Sequence, residues 1–136
     1  MVKFLGLAHR QRPEALVAED LTKALVARGW TVEIEAKARG MYPDVIAQDP
    51  QGHTYVFEVK TGNPGSSVHV SDIAQAAAFL KGLDIGGHRQ VRVYLMTNLN
   101  LSESARELSH QVGVHVIHQP GDYSGLVQAA LGQIGV

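Results

Sequence analysis

Residues 42–60 of the chain, YPDVIAQDPQGHTYVFEVK, determine the fold that we predict for it. Within them, Asp49-Pro50-Gln51-Gly52 has the composition of a tight turn. A short apolar run precedes this turn and a longer one follows it, which is typical of two strands joined as an antiparallel hairpin. We therefore predict neighbouring strands at residues 43–48 and 53–60.

The charged residues of this hairpin indicate a chemical site. Side chains alternate along a strand, so Glu58 and Lys60 share one face while Phe57 and Val59 share the other and can enter the core. Asp44, on the partner strand, can lie beside the charged pair. Neighbouring carboxylates repel each other unless a cation lies between them, and carboxylate, carbonyl and water oxygens suit Mg²⁺. With a lysine to orient a water or stabilise a phosphate, such a set could hydrolyse a phosphodiester bond.

Hydrophobic periodicity outside the hairpin predicts four helices and three further strands. We expect the helices to begin at Pro13, at a cap formed by Ser71 or Asp72, at the cap residue Ser102, and at Tyr123. We expect the further strands at residues 30–36, 91–97 and 114–117. The order α-β-β-β-α-β-α-β-α predicts an α/β fold with a mixed sheet.

Length and composition limit the alternatives. A chain of 136 residues suits one domain, which we expect to span residues 1–136. The absence of cysteine excludes disulfides and thiolate metal sites and fits the cytoplasm, where we expect the protein to act. We expect neither a signal peptide nor a membrane span.

The formal net charge of −1 argues mildly against a DNA ligand, although a local basic patch or bound cations could offset it.

The motif and its surroundings resemble a known group of nucleases. Pro43-Asp44, a hairpin and then Glu58-Val59-Lys60 resemble the PD-(D/E)XK nuclease superfamily. RGWTV at 28–32 is similar to the matching turn in archaeal Holliday-junction resolvases and Mrr-like restriction endonucleases. Three further segments of the chain resemble the later half of an Mrr-like catalytic domain, namely YLMTN at 94–98, SESAREL at 102–108 and GVHVI at 113–117. The resemblance implies a restriction-endonuclease-like, three-layer fold and an endonuclease that cleaves DNA with Mg²⁺ or Mn²⁺.

The resemblance also implies roles for the residues of the motif. Asp44 and Glu58 would bind the metal, the Val59 carbonyl would complete its coordination, and Lys60 would position the attacking water. Gln75 lies on the next predicted helix, where several members of the superfamily have a polar residue near the site.

The family often adds a glutamate from the first helix, and here the sequence departs from the pattern. Counting back from Gly29 by the spacing common in resolvases reaches Ala18. We favour Glu14, one turn earlier on the same helical face, as this catalytic and metal-binding residue. Glu19 remains the alternative, although it points roughly 100° away from Ala18.

We also expect contacts with nucleic acid. The predicted partner is duplex or branched DNA, and a homodimer is expected because cutting both strands needs two sites related by a two-fold axis. Thr61 would lie at the mouth of the site. The candidates for phosphate contact are basic residues that flank the first helix and the loop before Asp44, namely Arg10, Arg12, Lys37 and Arg39.

Structural explanations compete with each of these roles. Glu58 and Lys60 could be a weak pair on a solvated strand face, and Asp44 a strand-entry residue after proline. Glu14 could be an ordinary carboxylate at a helix start, and Gln75 an exposed helix residue. The main functional alternative is a non-catalytic nucleic-acid-binding or assembly module on a nuclease-like fold, since a fold does not dictate a function.

Overall fold

The computed structural model describes residues 13–35, 44–63, 65–85, 91–121 and 123–136, with the side chains of residues 35, 44 and 79–85 outside this description. Its helices are α1 (Pro13–Val26), α2 (Val70–Ile85), α3 (Glu103–Val112), α4 (Leu126–Ile134) and a 3₁₀ turn, Tyr123–Gly125. Its strands are β1 (Thr31–Glu35), β2 (Asp44–Gln48), β3 (Thr54–Lys60), β4 (Ser67–Val68), β5 (Arg92–Thr97), β6 (Asn100–Leu101) and β7 (Val114–His118). None of the described helices combines the length and the apolar character that a membrane crossing requires.

The main sheet has five strands in the order β1-β2-β3-β5-β7. The first three are antiparallel to one another, whereas β3, β5 and β7 run parallel, so the sheet is mixed as predicted. A second, two-stranded sheet pairs β4 with β6 in parallel and was not predicted from the sequence. Because β3, β5 and β7 point the same way, the loops that follow them lie at one edge of the sheet.

Helices cover both faces of this sheet. The side chains of β3 alternate between two cores, with Phe57 packed toward α1 and α4 and Val56 packed toward α2 and α3. Almost every residue of β3 is buried, which a central strand covered on both faces requires. The structure therefore has the predicted layers of helices, sheet and helices.

The turn between β2 and β3 is held by Asp49. Its carboxylate accepts hydrogen bonds from the backbone N–H groups of Gln51 (3.0 Å) and His53 (2.9 Å), and lies 3.1 Å from the His53 ring. Partial burial tends to raise the pKa of Asp49, but these hydrogen bonds and the His53 ring outweigh it, so the pKa lies below its ordinary value of 3.8. The turn thereby helps to fix the register of the hairpin.

Of the four predicted helix starts, two were correct and one was wrong, while at the fourth a 3₁₀ turn at Tyr123–Gly125 precedes the α-helix, which begins at Leu126. Helix α1 begins at Pro13, and the Ser102 hydroxyl caps α3 by accepting the Ala105 N–H at 3.1 Å. Helix α2, however, begins at Val70, so Asp72 lies inside its first turn. There the Asp72 carboxylate accepts the His69 N–H at 2.9 Å, in the manner of a carboxylate that reaches back over the helix start.

Replacing Asp49 by alanine removes the acceptor for two backbone N–H groups, so we expect the melting temperature at pH 7 to fall by about 4 °C. Because the folded pKa of Asp49 is lowered, its contribution to stability is complete above 3.8 and is lost as the pH falls through the folded pKa. The difference between variant and wild type in thermal unfolding should therefore shrink on going from about pH 5 to about pH 3.

The matched control is Asp20→Ala, which removes an exposed carboxylate from α1. It should leave the melting temperature nearly unchanged at both pH values. An equal loss in the two variants would show that the Asp49 turn has no special role.

Candidate active site

The hairpin register brings the acidic residues of the motif into one row. Asp44 is the Cα partner of Glu58 across the β2–β3 pair, as the sequence predicted from the hairpin. Glu35 occupies the position opposite Asp44 on β1, so three acidic residues follow one another across adjacent strands. Strand β3 continues for two residues beyond its described pairing with β2, to Lys60. The candidate residues therefore lie at the edge of the sheet where β3 ends.

Glu58 lies on the face of β3 that is covered by α2 and α3. The residue is only 1% exposed, and it is the Cα partner of Leu95 in the parallel pair with β5. A carboxylate shielded from water interacts more strongly with nearby charges than one on the surface does. The burial argues against the solvated strand face that we considered as an alternative for this residue.

Lys60 reaches from the end of β3 to the first turn of α2. Its Nζ lies 3.2 Å from Oδ1 of Asp72, and both side chains are 13% exposed. Sequence reasoning missed Asp72 as a site residue, because the carboxylate was interpreted only as a helix cap. The available signal was its position at the start of the helix that follows the motif, where the fold brings it back to β3.

Glu14 and Thr61 connect the first helix to the end of β3. The Glu14 carboxylate is 7% exposed and accepts a 2.8 Å hydrogen bond from the Thr61 hydroxyl, directly after Lys60 in the chain. Glu19, the alternative, is exposed and lies 3.4 Å from Lys23 on its own helix. Ala18, which the resolvase spacing reached, is buried in the core. Of the two glutamates, only Glu14 is thus shown in contact with a residue at the end of β3.

An open cavity of about 400 Å³ adjoins this contact. Its lining residues come from the start of α1 and from the loops after β3, β5 and β7, namely Pro13, Glu14, Thr61, Gly62, Asn63, Asn98, Gly121 and Tyr123. Of the candidate site residues, Glu14 and Thr61 line this cavity, whereas Glu58 and Lys60 do not. It offers space beside the end of β3 for part of a bound substrate.

Asn98 ties together the loops that surround the cavity. Its side chain accepts the Gly62 N–H (3.1 Å) and donates to the carbonyls of Gly62 (3.1 Å) and Gly121 (2.8 Å). Only 7% of the residue is exposed, so these bonds satisfy groups that are largely shielded from water. Sequence reasoning quoted Asn98 only as part of a resemblance, because nothing in the local pattern shows which loops it joins.

For the remaining predicted site residues, the structure gives a position or burial but no side-chain contact with the site, or does not describe them. Gln75 is half-buried on α2, nearly one turn after Asp72. The side chain of Val59 is buried in the core. For a metal ion, Val59 could therefore offer its backbone carbonyl oxygen. The predicted phosphate-contacting residues, Arg10, Arg12, Lys37 and Arg39, lie outside the described residues.

The donors at this edge suit a hard divalent cation. Glu58 and Glu14 offer carboxylate oxygens and Val59 a carbonyl oxygen, which are the ligand types that Mg²⁺ and Mn²⁺ take. Among the described side chains, which do not include that of Asp44, no group of three histidine, cysteine or carboxylate residues could hold an ion. A complete site therefore needs Asp44 or further oxygen ligands.

Comparisons with known proteins identify the fold. No family model and no curated protein matches this chain. Among solved structures, apo EndoMS has a TM-score of 0.62 at 20% identity, covering 82% of this chain and 48% of its own. A repair endonuclease from Pyrococcus abyssi has a TM-score of 0.58 at 18% identity, covering 82% and 49%. The restriction endonuclease MspJI, in complex with a 27-mer oligonucleotide, has a TM-score of 0.53 at 16% identity, covering 96% and 30%.

The chain has a restriction-endonuclease-like fold. At these identities the likeness concerns the fold, which confirms the architecture that the sequence resemblance implied. The chain spans about half the length of EndoMS and of the Pyrococcus abyssi endonuclease. The motif residues lie on the hairpin strands β2 and β3, and β3 also joins the hairpin to the parallel half of the sheet.

Replacing Asn98 by alanine leaves one N–H and two carbonyl groups without the bonds that join these loops. We expect the free energy of unfolding, measured by urea denaturation, to fall by about 2–3 kcal/mol. The matched control is Asn100→Ala, at an exposed position two residues later, which should cost less than about 0.5 kcal/mol. Equal costs for the two variants would contradict the role assigned to Asn98.

Proposed function

We propose that the chain, as a single domain, is a metal-dependent endonuclease that hydrolyses phosphodiester bonds of DNA. The observation that carries this proposal is the register of Asp44 opposite Glu58, with Lys60 two residues further on, at one edge of a restriction-endonuclease-like sheet. Two acidic positions and an amine at that edge match the needs of phosphodiester hydrolysis, because the phosphate is anionic and its leaving oxygen gains charge.

In this proposal Asp44, Glu58, Glu14 and the Val59 carbonyl hold Mg²⁺ or Mn²⁺. When bound, the ion supplies positive charge that polarises the phosphate and acidifies a coordinated water. Lys60 directs its ammonium group at the attacking water and the phosphate oxygens.

The proposed reaction cleaves one bond and forms one. The water oxygen bonds to phosphorus and gives up a proton as the bond from phosphorus to the 3′ oxygen breaks. The departing 3′ oxygen takes up a proton, which leaves a 5′-phosphate and a 3′-hydroxyl. Gln75, on the side of α2 that carries Asp72, would contribute a polar contact to this site.

Two structural neighbours that were solved with nucleic acid support DNA as the proposed substrate. MspJI was solved with a 27-mer oligonucleotide, and EndoMS also in a complex with double-stranded DNA. We propose duplex or branched DNA for this chain, with Thr61 at the mouth of the site and Arg10, Arg12, Lys37 and Arg39 contacting phosphates. A homodimer would supply the second site needed to cut both strands, and its mass is measurable by light scattering.

The first test compares cleavage of plasmid and branched DNA by the wild type and by Asp44→Ala, Glu58→Ala and Lys60→Ala. We expect cleavage by the wild type with Mg²⁺ or Mn²⁺, and losses of at least about 100-fold in each variant, because each one removes charge from the reacting centre. Calorimetric titration of Mn²⁺ should show a site in the wild type that is lost in Glu58→Ala.

Two results would oppose this assignment. Activity that survives in Lys60→Ala and Asp44→Ala would come from another site or from a contaminant. DNA binding that is independent of divalent metal, with no cleavage in the wild type, would favour the non-catalytic binding module instead.

A second test separates the two glutamates of α1. We expect Glu14→Gln to lower the cleavage rate by about tenfold or more, since the substitution removes a buried charge that lies next to Thr61. Glu19→Gln should cleave at the wild-type rate, because Glu19 is exposed and pairs with Lys23. The reverse order of effects would transfer the role to Glu19.

A further inference from the structure

The Asp72 carboxylate uses its two oxygens on two different partners. Oδ2 accepts the backbone N–H of His69 at 2.9 Å, while Oδ1 lies 3.2 Å from Nζ of Lys60 on β3. The backbone N–H of Asp72 in turn donates to the carbonyl of His69 at 3.0 Å. The carboxylate is therefore fixed to the start of α2 and faces the end of β3 at the same time.

The start of α2 is itself held against the sheet. The chain just before it forms β4, which pairs with β6, and Ser66 accepts the Asn100 N–H at 3.1 Å. Val68 is 1% exposed, and Ile73, one residue after Asp72, is fully buried. The chain is therefore held in place both before and after Asp72. The negative charge of the Asp72 carboxylate is also favourable at a helix N-terminus.

A charged partner offsets the entropy that is lost when the Lys60 side chain is fixed in one position. A lysine side chain has four rotatable bonds and loses about 2 kcal/mol of rotamer entropy when it is fixed. Both members of the Lys60–Asp72 pair are 13% exposed, so little water competes for the contact and the pair is stronger than one on the surface.

We propose that Asp72 is a positioning residue that holds the Lys60 ammonium group in place for cleavage. Its catalytic significance rests on the proposed function, in which Lys60 directs the attacking water. Asp72 acts only through Lys60 in this scheme. Its place on α2 also couples the packing of that helix to the geometry of the site.

A substitution can separate this role from helix capping. Asp72→Asn keeps an oxygen that can accept the His69 N–H, but removes the negative charge that holds Lys60. Glu103→Gln is the matched control, because it also removes a carboxylate from the first turn of a helix, at an exposed position on α3.

The first measurement is a double-mutant cycle on stability, which does not require activity. Urea denaturation compares the wild type, Asp72→Asn, Lys60→Met and the double variant. We expect Asp72→Asn to raise the unfolding equilibrium constant by about tenfold when Lys60 is present, and by less than about threefold when it is methionine. Equal effects in the two backgrounds would overturn the proposal.

The second measurement is the cleavage rate at saturating and at limiting DNA. Misplacing a reacting group by about 1 Å can cost about 100-fold, so we expect Asp72→Asn to lower kcat by about 10- to 100-fold while KM changes by less than about twofold. Glu103→Gln should retain the wild-type kcat. A wild-type kcat in Asp72→Asn would overturn the positioning role even if the cycle shows coupling.

The two failures can be told apart. If the wild type cleaves no DNA but the cycle shows coupling, the proposed function is rejected and Asp72 still holds Lys60. If the wild type cleaves, Lys60→Ala does not, and the cycle shows no coupling, Lys60 keeps its role and Asp72 is excluded as its anchor.

Discussion

The pairing of β2 with β3 is the constraint on which the rest of the site depends. Asp44 lies opposite Glu58 only in the observed register, and a slip of one residue would move every side chain of a strand to the other face of the sheet. Burial of β3 on both sides penalises such a slip, because it would place Phe57 where Glu58 now lies. The hydrogen bonds of Asp49 in the turn favour the same register.

Burial gives this edge of the sheet its electrostatic character. Glu58 and Glu14 are 1% and 7% exposed, and Lys60 and Asp72 form a pair whose side chains are each 13% exposed. Charged groups in such surroundings are expensive to bury, and they persist where opposite charges and hydrogen bonds compensate for lost water. The same shielding strengthens their action on a bound anion or cation.

The parallel half of the sheet completes the site from distant parts of the chain. Strands β3, β5 and β7 end at one edge, so the residues that follow them come within hydrogen-bonding reach of one another. Asn98 joins Gly62 to Gly121, and Thr61 joins that loop to Glu14 on α1. Residues from position 13 to position 123 thereby surround a single cavity.

The sequence by itself determined the hairpin, the order of the helices and of the five strands of the main sheet, and the candidate set of Asp44, Glu58 and Lys60. These features depend on local chemistry: turn composition, the two-residue alternation of strands and the spacing of apolar residues on helices. Only the tertiary structure decided that Glu14 contacts Thr61, directly after β3, and that Asp72 lies 3.2 Å from Lys60. No local pattern encodes these contacts, because they arise where helices α1 and α2 pack on opposite faces of the sheet.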